Sequence, residues 1–224
     1  MKNTKEYSAK IRKLYLSLKK EYPRPHKVSY EEPLDAIVYA LVSQSITEPA
    51  AQAAMKRFAD YFVDLNDLRV SRIEEIVEAL AVDGDIAKNI AVNLVAVLKA
   101  VFEKFNVVNL EVLRKMAKRP ARQMLEKFVG DNRFVIDYCM LTALRGHAIP
   151  LTNQMIEFLK SCRLVDPEAS HEEIEGFLAR QVSAANAYEF YSLLRRWCEA
   201  GKMEFGRAKP KTKARPKAAA KEKS

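Results

Sequence analysis

Apolar residues recur at three- and four-residue steps along most of the chain, the pattern of helices that bury one face. In the clearest instance, the segment that starts at residue 86, the apolar positions are Ile90, Leu94, Val97, Leu98 and Val101. Similar patterns predict helices at 4–21, 34–45, 48–63, 71–81, 109–117, 119–128, 132–145, 151–162, 172–181 and 184–199. No stretch shows the sustained alternation of a strand, so we predict an all-α protein.

A tight polar turn separates two of these apolar helices, in the stretch EKFVGDNRFVIDY at 126–138. The short connection predicts a helix-hairpin-helix. Gly130 can adopt positive φ without steric cost, and Asn132 tolerates the left-handed region better than most residues. Backbone N–H groups at such a turn favour a phosphate oxygen, and Arg133 would add positive charge. Asp131 completes the candidate phosphate-binding turn; the alternative is a plain turn between helices without a ligand.

Composition places the chain among ordinary globular proteins, since 49% of its 224 residues are apolar and 30% are charged. No apolar run is long enough to span a bilayer, and the first residues lack an apolar signal core. We therefore expect no membrane association and a cytoplasmic location. We also expect a monomer.

The net charge of +9 is concentrated in the last 24 residues, where nine Lys or Arg and two Glu give +7. This Lys/Ala/Pro-rich stretch, 201–224, is expected to be disordered, because it has too little apolar surface to offset ordering. Its spaced cations are candidates for nucleic-acid phosphates, with a salt slope near roughly −8 if all nine bind. The candidates are Lys209, Lys211, Lys213, Arg215 and Lys217. The alternative is a solubilising tail.

Cysteine and histidine spacing predicts no metal site. The three cysteines, Cys139, Cys162 and Cys198, are far apart and form no C-x-x-C spacing, and the three histidines are equally scattered. Isolated cysteines indicate a reducing compartment, where a free cysteine is typically a small buried apolar residue.

The order and separation of several short motifs resemble the HhH-GPD superfamily of DNA glycosylases, which includes endonuclease III. LEKFVGDNRFVIDYCMLTALRGHAIPLTNQM at 125–155 is similar to the family's L-P-G-V-G-x-x-T-A hairpin, apolar helix and P-V-D-x-H segment. PLDAIVYALVSQSITEPAAQAAMKRF at 33–58 resembles its early S-x-Q-T region, and DGDIAKNI at 83–90 resembles a G-x-x-x-x-K-A-x-x-I turn. The resemblance covers about residues 30–200 and implies a two-lobed helical fold that binds double-stranded DNA, with damaged or abasic DNA among the candidate ligands. It also implies association with the nucleoid if the source is a prokaryote.

The resemblance breaks at the two positions that carry the family's chemistry. Bifunctional members use a lysine that attacks the sugar and forms a Schiff base, and the matching residue here is Phe134. An aspartate that stabilises the transition state corresponds to Thr152, a residue suited to capping the next helix. Asp137, three residues after Phe134, is a candidate relocated acid or a residue that pairs helices. Lys127 is a candidate displaced nucleophile or a solvated lysine.

Two further features of the family are altered. The polar residue that the family wedges into the DNA stack corresponds to Ser45, with Gln44 one place earlier, and both are candidate DNA contacts. Ser43 and Thr47 are equally suited to capping helices. Only Cys198 stands near the place of the four cysteines that bind a 4Fe-4S cluster in endonuclease III, so we expect no cluster and no other cofactor.

Taken together, the resemblance implies one lobe at 31–146 that ends in the hairpin, and a second at 1–30 plus 147–200. The favoured function is a catalytically degenerate DNA-binding protein. One alternative is an active monofunctional glycosylase that uses a relocated acid, Asp137. Another is a helical protein-interaction scaffold that no longer binds DNA.

Overall fold

A computed structural model describes residues 4–82, 84–202 and 205. This part of the chain contains helices and no strand, as predicted. The α-helices are α1 (Thr4–Glu21), α2 (Pro33–Ser43), α3 (Glu48–Tyr61), α4 (Leu65–Val70), α5 (Ile73–Leu80), α6 (Gly84–Phe105), α7 (Lys118–Val129), α8 (Arg133–Thr142), α9 (Asn153–Ser161), α10 (His171–Gln181) and α11 (Ala187–Glu199).

Polar side chains fix the first turns of several helices. Asp64 accepts a hydrogen bond from the amide of Asp67 at the start of α4, and Glu32 accepts one from Leu34 at the start of α2. Ser170 and Glu173 form a reciprocal capping box at the start of α10. Each of these bonds satisfies an amide that lacks an acceptor within its own helix.

The structure departs from the predicted helices in three places. The short helix α4 was not predicted, because six residues are too few for a periodic pattern to stand out. The helix predicted at 109–117 is a five-residue 3-10 helix, Glu111–Lys115. The helix predicted at 184–199 begins with a 3-10 turn, Ala184–Asn186, before α11.

Helix α2 lies at the centre of the molecule. Ten of its eleven residues are apolar or small and buried, and the helix packs against α3, α6 and most extensively α8. A helix that is apolar on every side is stable only when neighbours surround it. The central position of α2 places its C-terminal end, and the loop that follows, next to the start of α8.

The remaining helices form a second group around α11, which packs against α1, α9 and α8. The first group, α2 to α8, belongs to the lobe inferred at 31–146, and α1, α9, α10 and α11 belong to the other. The division into two lobes and its boundaries stay a prediction. No helix among the described residues is long and apolar enough to cross a bilayer.

Candidate nucleic-acid interface

Helices α7 and α8 form the predicted hairpin, joined by residues 130–132. Gly130 has φ +60° and ψ −143°, as the turn requires, and a Cβ placed there would meet nothing within 4 Å. Glycine is therefore favoured by the backbone angle alone. The left-handed conformation considered for Asn132 is wrong, since its φ is −73°. Asn132 instead caps α8, and its Oδ1 accepts a hydrogen bond from the amide of Val135 at 3.2 Å.

The amide nitrogen of the Asn132 side chain joins the hairpin to the loop after α2. Its Nδ2 donates to Gln44 Oε1 at 2.8 Å. Gln44 is half-buried and the next residue, Ser45, is exposed. Two segments that sequence analysis singled out separately are thus in direct contact.

A cavity of about 270 Å³ lies where these two segments meet a third, the start of α9. We call it the central cleft; its lining residues are Gln44, Ser45, Asp131, Asn132, Arg133, Phe134, Leu151, Thr152, Asn153 and His171. The cleft therefore brings together most candidate site residues of the body; Gly130, at the adjoining turn, Lys127 and Asp137 do not line it. Sequence analysis did not predict His171 as a site residue. The one available signal was its position at the start of a helix, where a side chain can line a cleft.

The N-terminal ends of three helices converge on this cleft. Asn132 precedes α8, Thr152 precedes α9 and His171 begins α10. Thr152 Oγ1 accepts a hydrogen bond from the amide of Met155 at 3.3 Å, so its predicted capping role is confirmed. Since a helix N-terminus carries partial positive charge, the cleft is a favourable environment for an anion.

Phe134, at the position that matches the family's lysine, forms part of an aromatic cluster beneath the cleft. Its side chain is 4% exposed, and its ring lies 6.0 Å from that of Tyr138 and 6.3 Å from that of Tyr191. Tyr39 stacks on the far side of Tyr138 at 5.4 Å. These four rings form one contiguous buried cluster.

Arg133 does not present a free cation to the hairpin turn. Its guanidinium lies 3.0 Å from a carboxylate oxygen of Glu172 and 3.2 Å from one of Glu175, both on α10. The charge that Arg133 was expected to add near the turn is therefore offset by two carboxylates. Periodicity gives no sign of this pairing, because the partners are 39 and 42 residues away.

Asp137 faces a second, neighbouring cavity of about 330 Å³, which we call the acidic cavity. Of the two roles considered for this residue, the pairing of helices is confirmed, because Arg122 on α7 contacts it at 2.6 Å. Burial raises the pKa of the Asp137 carboxyl to about 6, and the nearby charge of Glu175 adds to the rise. Asp137 is 3% exposed, and it does not line the central cleft.

The tip of the hairpin is open to solvent. Gly130, Asp131 and Lys127 are exposed. Among the described residues, no atom accepts a hydrogen bond from the Asp131 amide, which leaves that N–H available to a ligand. The Asp131 carboxylate at the same tip opposes the approach of an anion. The tail residues Lys209, Lys211, Lys213, Arg215 and Lys217 lie outside the described residues, as does most of the stretch 201–224 that was predicted to be disordered. At its start the prediction is wrong, because Lys202 pairs with Glu21 and Phe205 packs against Trp197.

Solved structures similar to this chain are DNA glycosylases. A trapped endonuclease III–DNA covalent intermediate matches with a TM-score of 0.66 and 18% identity, over 85% of each chain. The 8-oxoguanine glycosylase/lyase of Clostridium acetobutylicum, in complex with DNA, has a TM-score of 0.66 and 15% identity over 89% of this chain and 71% of its own. The 3-methyladenine DNA glycosylase of H. pylori has a TM-score of 0.59 and 14% identity over 88% and 98%.

The chain has the endonuclease III fold. The fold implied by the motifs is thereby confirmed, although no protein-family model and no curated protein matches the sequence. With identities of 14–18%, the likeness establishes the fold alone. Any function has to be argued from the residues of the cleft.

The iron-sulfur cluster of endonuclease III does not fit the residues present. Cys198 is buried on α11, and burial raises the pKa of its thiol to about 12, which disfavours the thiolate that would bind iron. Within the described part of this endonuclease III fold, no group of three or more His, Cys, Asp or Glu side chains is placed to hold a metal ion.

Proposed function

We propose that the chain binds double-stranded DNA through the central cleft and the hairpin and breaks no glycosidic bond. One observation carries this proposal: the two positions that match the family's nucleophile and acid lie together in the cleft and are occupied by Phe134 and Thr152. A phenyl ring offers no nucleophile, and a threonine that caps α9 offers no anion to the transition state.

The cleft retains groups suited to a sugar-phosphate backbone. The side chains of Gln44, Ser45, Asn132, Thr152 and Asn153 supply neutral donors and acceptors. Three helix N-termini point their positive ends at the same place, and the Asp131 amide is available at the hairpin tip. Such contacts position a protein on DNA without reading its sequence.

The aromatic cluster below Phe134 argues against a base-excision pocket. A glycosylase must take its target base out of the stack and hold it next to the catalytic groups. In this chain the space beneath the cleft is occupied by Phe134, Tyr138 and Tyr191. Among the lining residues of the cleft, Asp131 alone has a carboxylate, and it is exposed at the hairpin tip.

The basic tail would add affinity that does not depend on sequence. Its cations can contact phosphates along the duplex, and each contact releases a counterion. We therefore propose a two-part grip, in which the cleft fixes the orientation of the body on DNA and the tail strengthens the association. We propose that the same grip binds duplexes that are damaged or contain an abasic site.

The second candidate is a glycosylase with a relocated acid, and one observation favours it. Asp137 has a pKa raised to about 6, close to the range in which a general acid or base works at neutral pH. Its carboxyl, however, faces the acidic cavity and contacts Arg122. Catalysis from Asp137 would require the substrate to enter that cavity and displace the ion pair.

The experiment combines duplex binding with assays for base release and borohydride trapping of a Schiff base. Duplexes that carry oxidised, alkylated or deaminated bases are the substrates. We expect micromolar or tighter binding at low salt and neither reaction. If the chain releases a base and Asp137→Asn abolishes that release, the second candidate is established. If Asp131→Asn abolishes the release instead, the catalytic acid lies at the hairpin tip. No binding to any duplex would favour the protein-interaction scaffold.

A further inference from the structure

A buried arginine on α11 holds the loop that joins α2 to α3. Arg195 is 2% exposed, and its Nη2 donates to the backbone oxygens of Ser43 at 2.5 Å and Ile46 at 3.0 Å. Ser43 ends α2 and Ile46 lies in the loop, so the two carbonyls flank Gln44 and Ser45 on both sides. One guanidinium therefore holds the backbone on each side of these two residues.

The remaining donors of Arg195 are also satisfied. Nη1 donates to the hydroxyls of Tyr191 at 2.9 Å and Ser43 at 3.4 Å, and Nε donates to Glu199 at 2.6 Å. A buried charge is strongly unfavourable unless its hydrogen bonds are made, and here a carboxylate, two hydroxyls and two carbonyls surround it. The guanidinium is consequently fixed in one orientation.

Glu199 extends this support to the other end of the loop. Both of its carboxylate oxygens lie 3.1 Å from the amide nitrogen of Glu48, the first residue of α3. Arg195 and Glu199 are one helical turn apart on α11, so a single ion pair contacts the last residue of α2 and the first of α3. The loop between them, 44–47, is held at both ends while Ser45 remains exposed.

Arg195 also reaches the hairpin side of the cleft. The centre of its guanidinium lies 5.8 Å from the centroid of the Phe134 ring, and Tyr191 contacts the same ring. A lysine in place of Phe134 would put a second cation beside this buried guanidinium, which is unfavourable. An uncharged aromatic residue at position 134 is therefore compatible with the buried charge of Arg195.

We infer that Arg195 is a positioning residue for the DNA contacts of Gln44 and Ser45, an inference that rests on the proposed binding of duplex DNA. A loop that is ordered before binding loses less conformational entropy when the duplex arrives. Arg195 itself does not touch DNA. Its effect on affinity is exerted through the backbone carbonyls of residues 43 and 46.

The test compares Arg195→Lys with a matched control, Arg57→Lys, in the full chain. Arg57 likewise donates to backbone carbonyls at the end of a helix, Ala79 at 2.7 Å and Leu80, but it lies on α3 and caps α5. Lysine keeps the charge at either position and loses the planar fork. Tyr191→Phe, which removes one partner of Arg195, is the milder variant if Arg195→Lys does not fold.

Two measurements are made on each variant: amide hydrogen exchange of residues 44–48 in the free protein, and affinity for an undamaged duplex. Arg195→Lys is expected to accelerate exchange in this segment and to weaken duplex binding by about tenfold, the equivalent of ordering one further residue on binding. Arg57→Lys should leave both unchanged, and Tyr191→Phe should reproduce both changes at smaller size.

Equal losses of affinity in the Arg195 and Arg57 variants would overturn the inference, since they would indicate general destabilisation. Faster exchange with unchanged affinity would also overturn it, because the loop would then be ordered by Arg195 without any benefit to binding. If the unmodified chain binds no duplex, the proposed function fails first, and the exchange data alone report whether Arg195 orders the loop.

Discussion

Gln44 Oε1 accepts a hydrogen bond from Asn132 Nδ2 at 2.8 Å, across 88 residues of sequence. This bond joins the loop after α2 to the hairpin between α7 and α8. The same Asn132 side chain caps α8 through its oxygen. One amide group therefore maintains both the start of a helix and the spacing of two candidate DNA contacts.

Asn132→Ser is expected to separate these two roles. Serine is as good an N-cap as asparagine, but it is too short to replace the amide that reaches Gln44. The free energy of unfolding should change by less than about 0.5 kcal/mol, while duplex affinity falls several-fold. Chemical unfolding and binding isotherms provide the measurements. Asn132→Ala, which removes the cap as well, should cost about 1 kcal/mol of stability.

Glu172→Gln is expected to strengthen duplex binding. Glu172 is largely exposed and contacts Arg133 at 3.0 Å, so its neutral replacement leaves more of the Arg133 charge available to a phosphate. The gain should be a few-fold at low salt and should diminish as salt is added. Glu168→Gln removes an exposed charge on the loop that precedes α10 and serves as the control. An equal gain in both variants would mean that net charge alone is responsible.

Thr152→Asp is expected to fold normally and to remain without glycosylase activity. Aspartate is a strong N-cap and interacts favourably with a helix N-terminus, so α9 should keep its stability to within about 0.5 kcal/mol. The added anion should weaken duplex binding. Base release should stay undetected because Phe134 and the rings below it occupy the space that a flipped base needs. Release of a base would show that this space can open.

The buried carboxyl of Asp137 should make stability depend on pH. Its pKa rises from the ordinary 3.8 to about 6 in the folded chain, so between these values the folded protein holds a proton that the unfolded chain has lost. The free energy of unfolding therefore falls as pH rises from 4 to 6, by up to about 3 kcal/mol from this group.

Asp137→Asn removes this titration, so the stability of the variant relative to the unmodified chain should increase from pH 4 to pH 6. Urea unfolding at several pH values measures the difference. Asp60→Asn, which removes an exposed carboxylate on α3, is the control for the loss of one negative charge. If the difference for Asp137→Asn is the same at pH 4 and pH 6, burial does not raise the pKa of Asp137.

Sequence periodicity predicted most of the helices, because each buries a face whose spacing is visible in the chain. Local chemistry was also predictable at Gly130, which has positive φ, and at Thr152, which caps α9. The order of motifs identified the fold even though 14–18% identity to its solved relatives leaves few residues in common. For the helices, Gly130 and Thr152, the determining interaction lies within a few residues of the position concerned.

The contacts between distant segments could not be predicted in the same way. Arg133 is neutralised by α10, Gln44 is held by the hairpin, and Arg195 reaches the end of α2. Each pairing depends on how helices pack in space, which periodicity does not specify. A signal for Arg195 was nevertheless present: a charged residue stands on the apolar face of α11, four residues after Tyr191 and four before Glu199.

The most direct test of the account is the affinity of a chain truncated after Phe205 for plain duplex and for duplex with an abasic-site analogue, at two salt concentrations. Phe205 is retained because it packs against Trp197. We predict that the truncated chain binds both duplexes, more weakly than the full chain and with a salt slope smaller by up to about 7, from the eight cations removed. If the truncated chain binds neither duplex while the full chain binds both, the tail carries all of the affinity, and the central cleft is not a DNA-binding site.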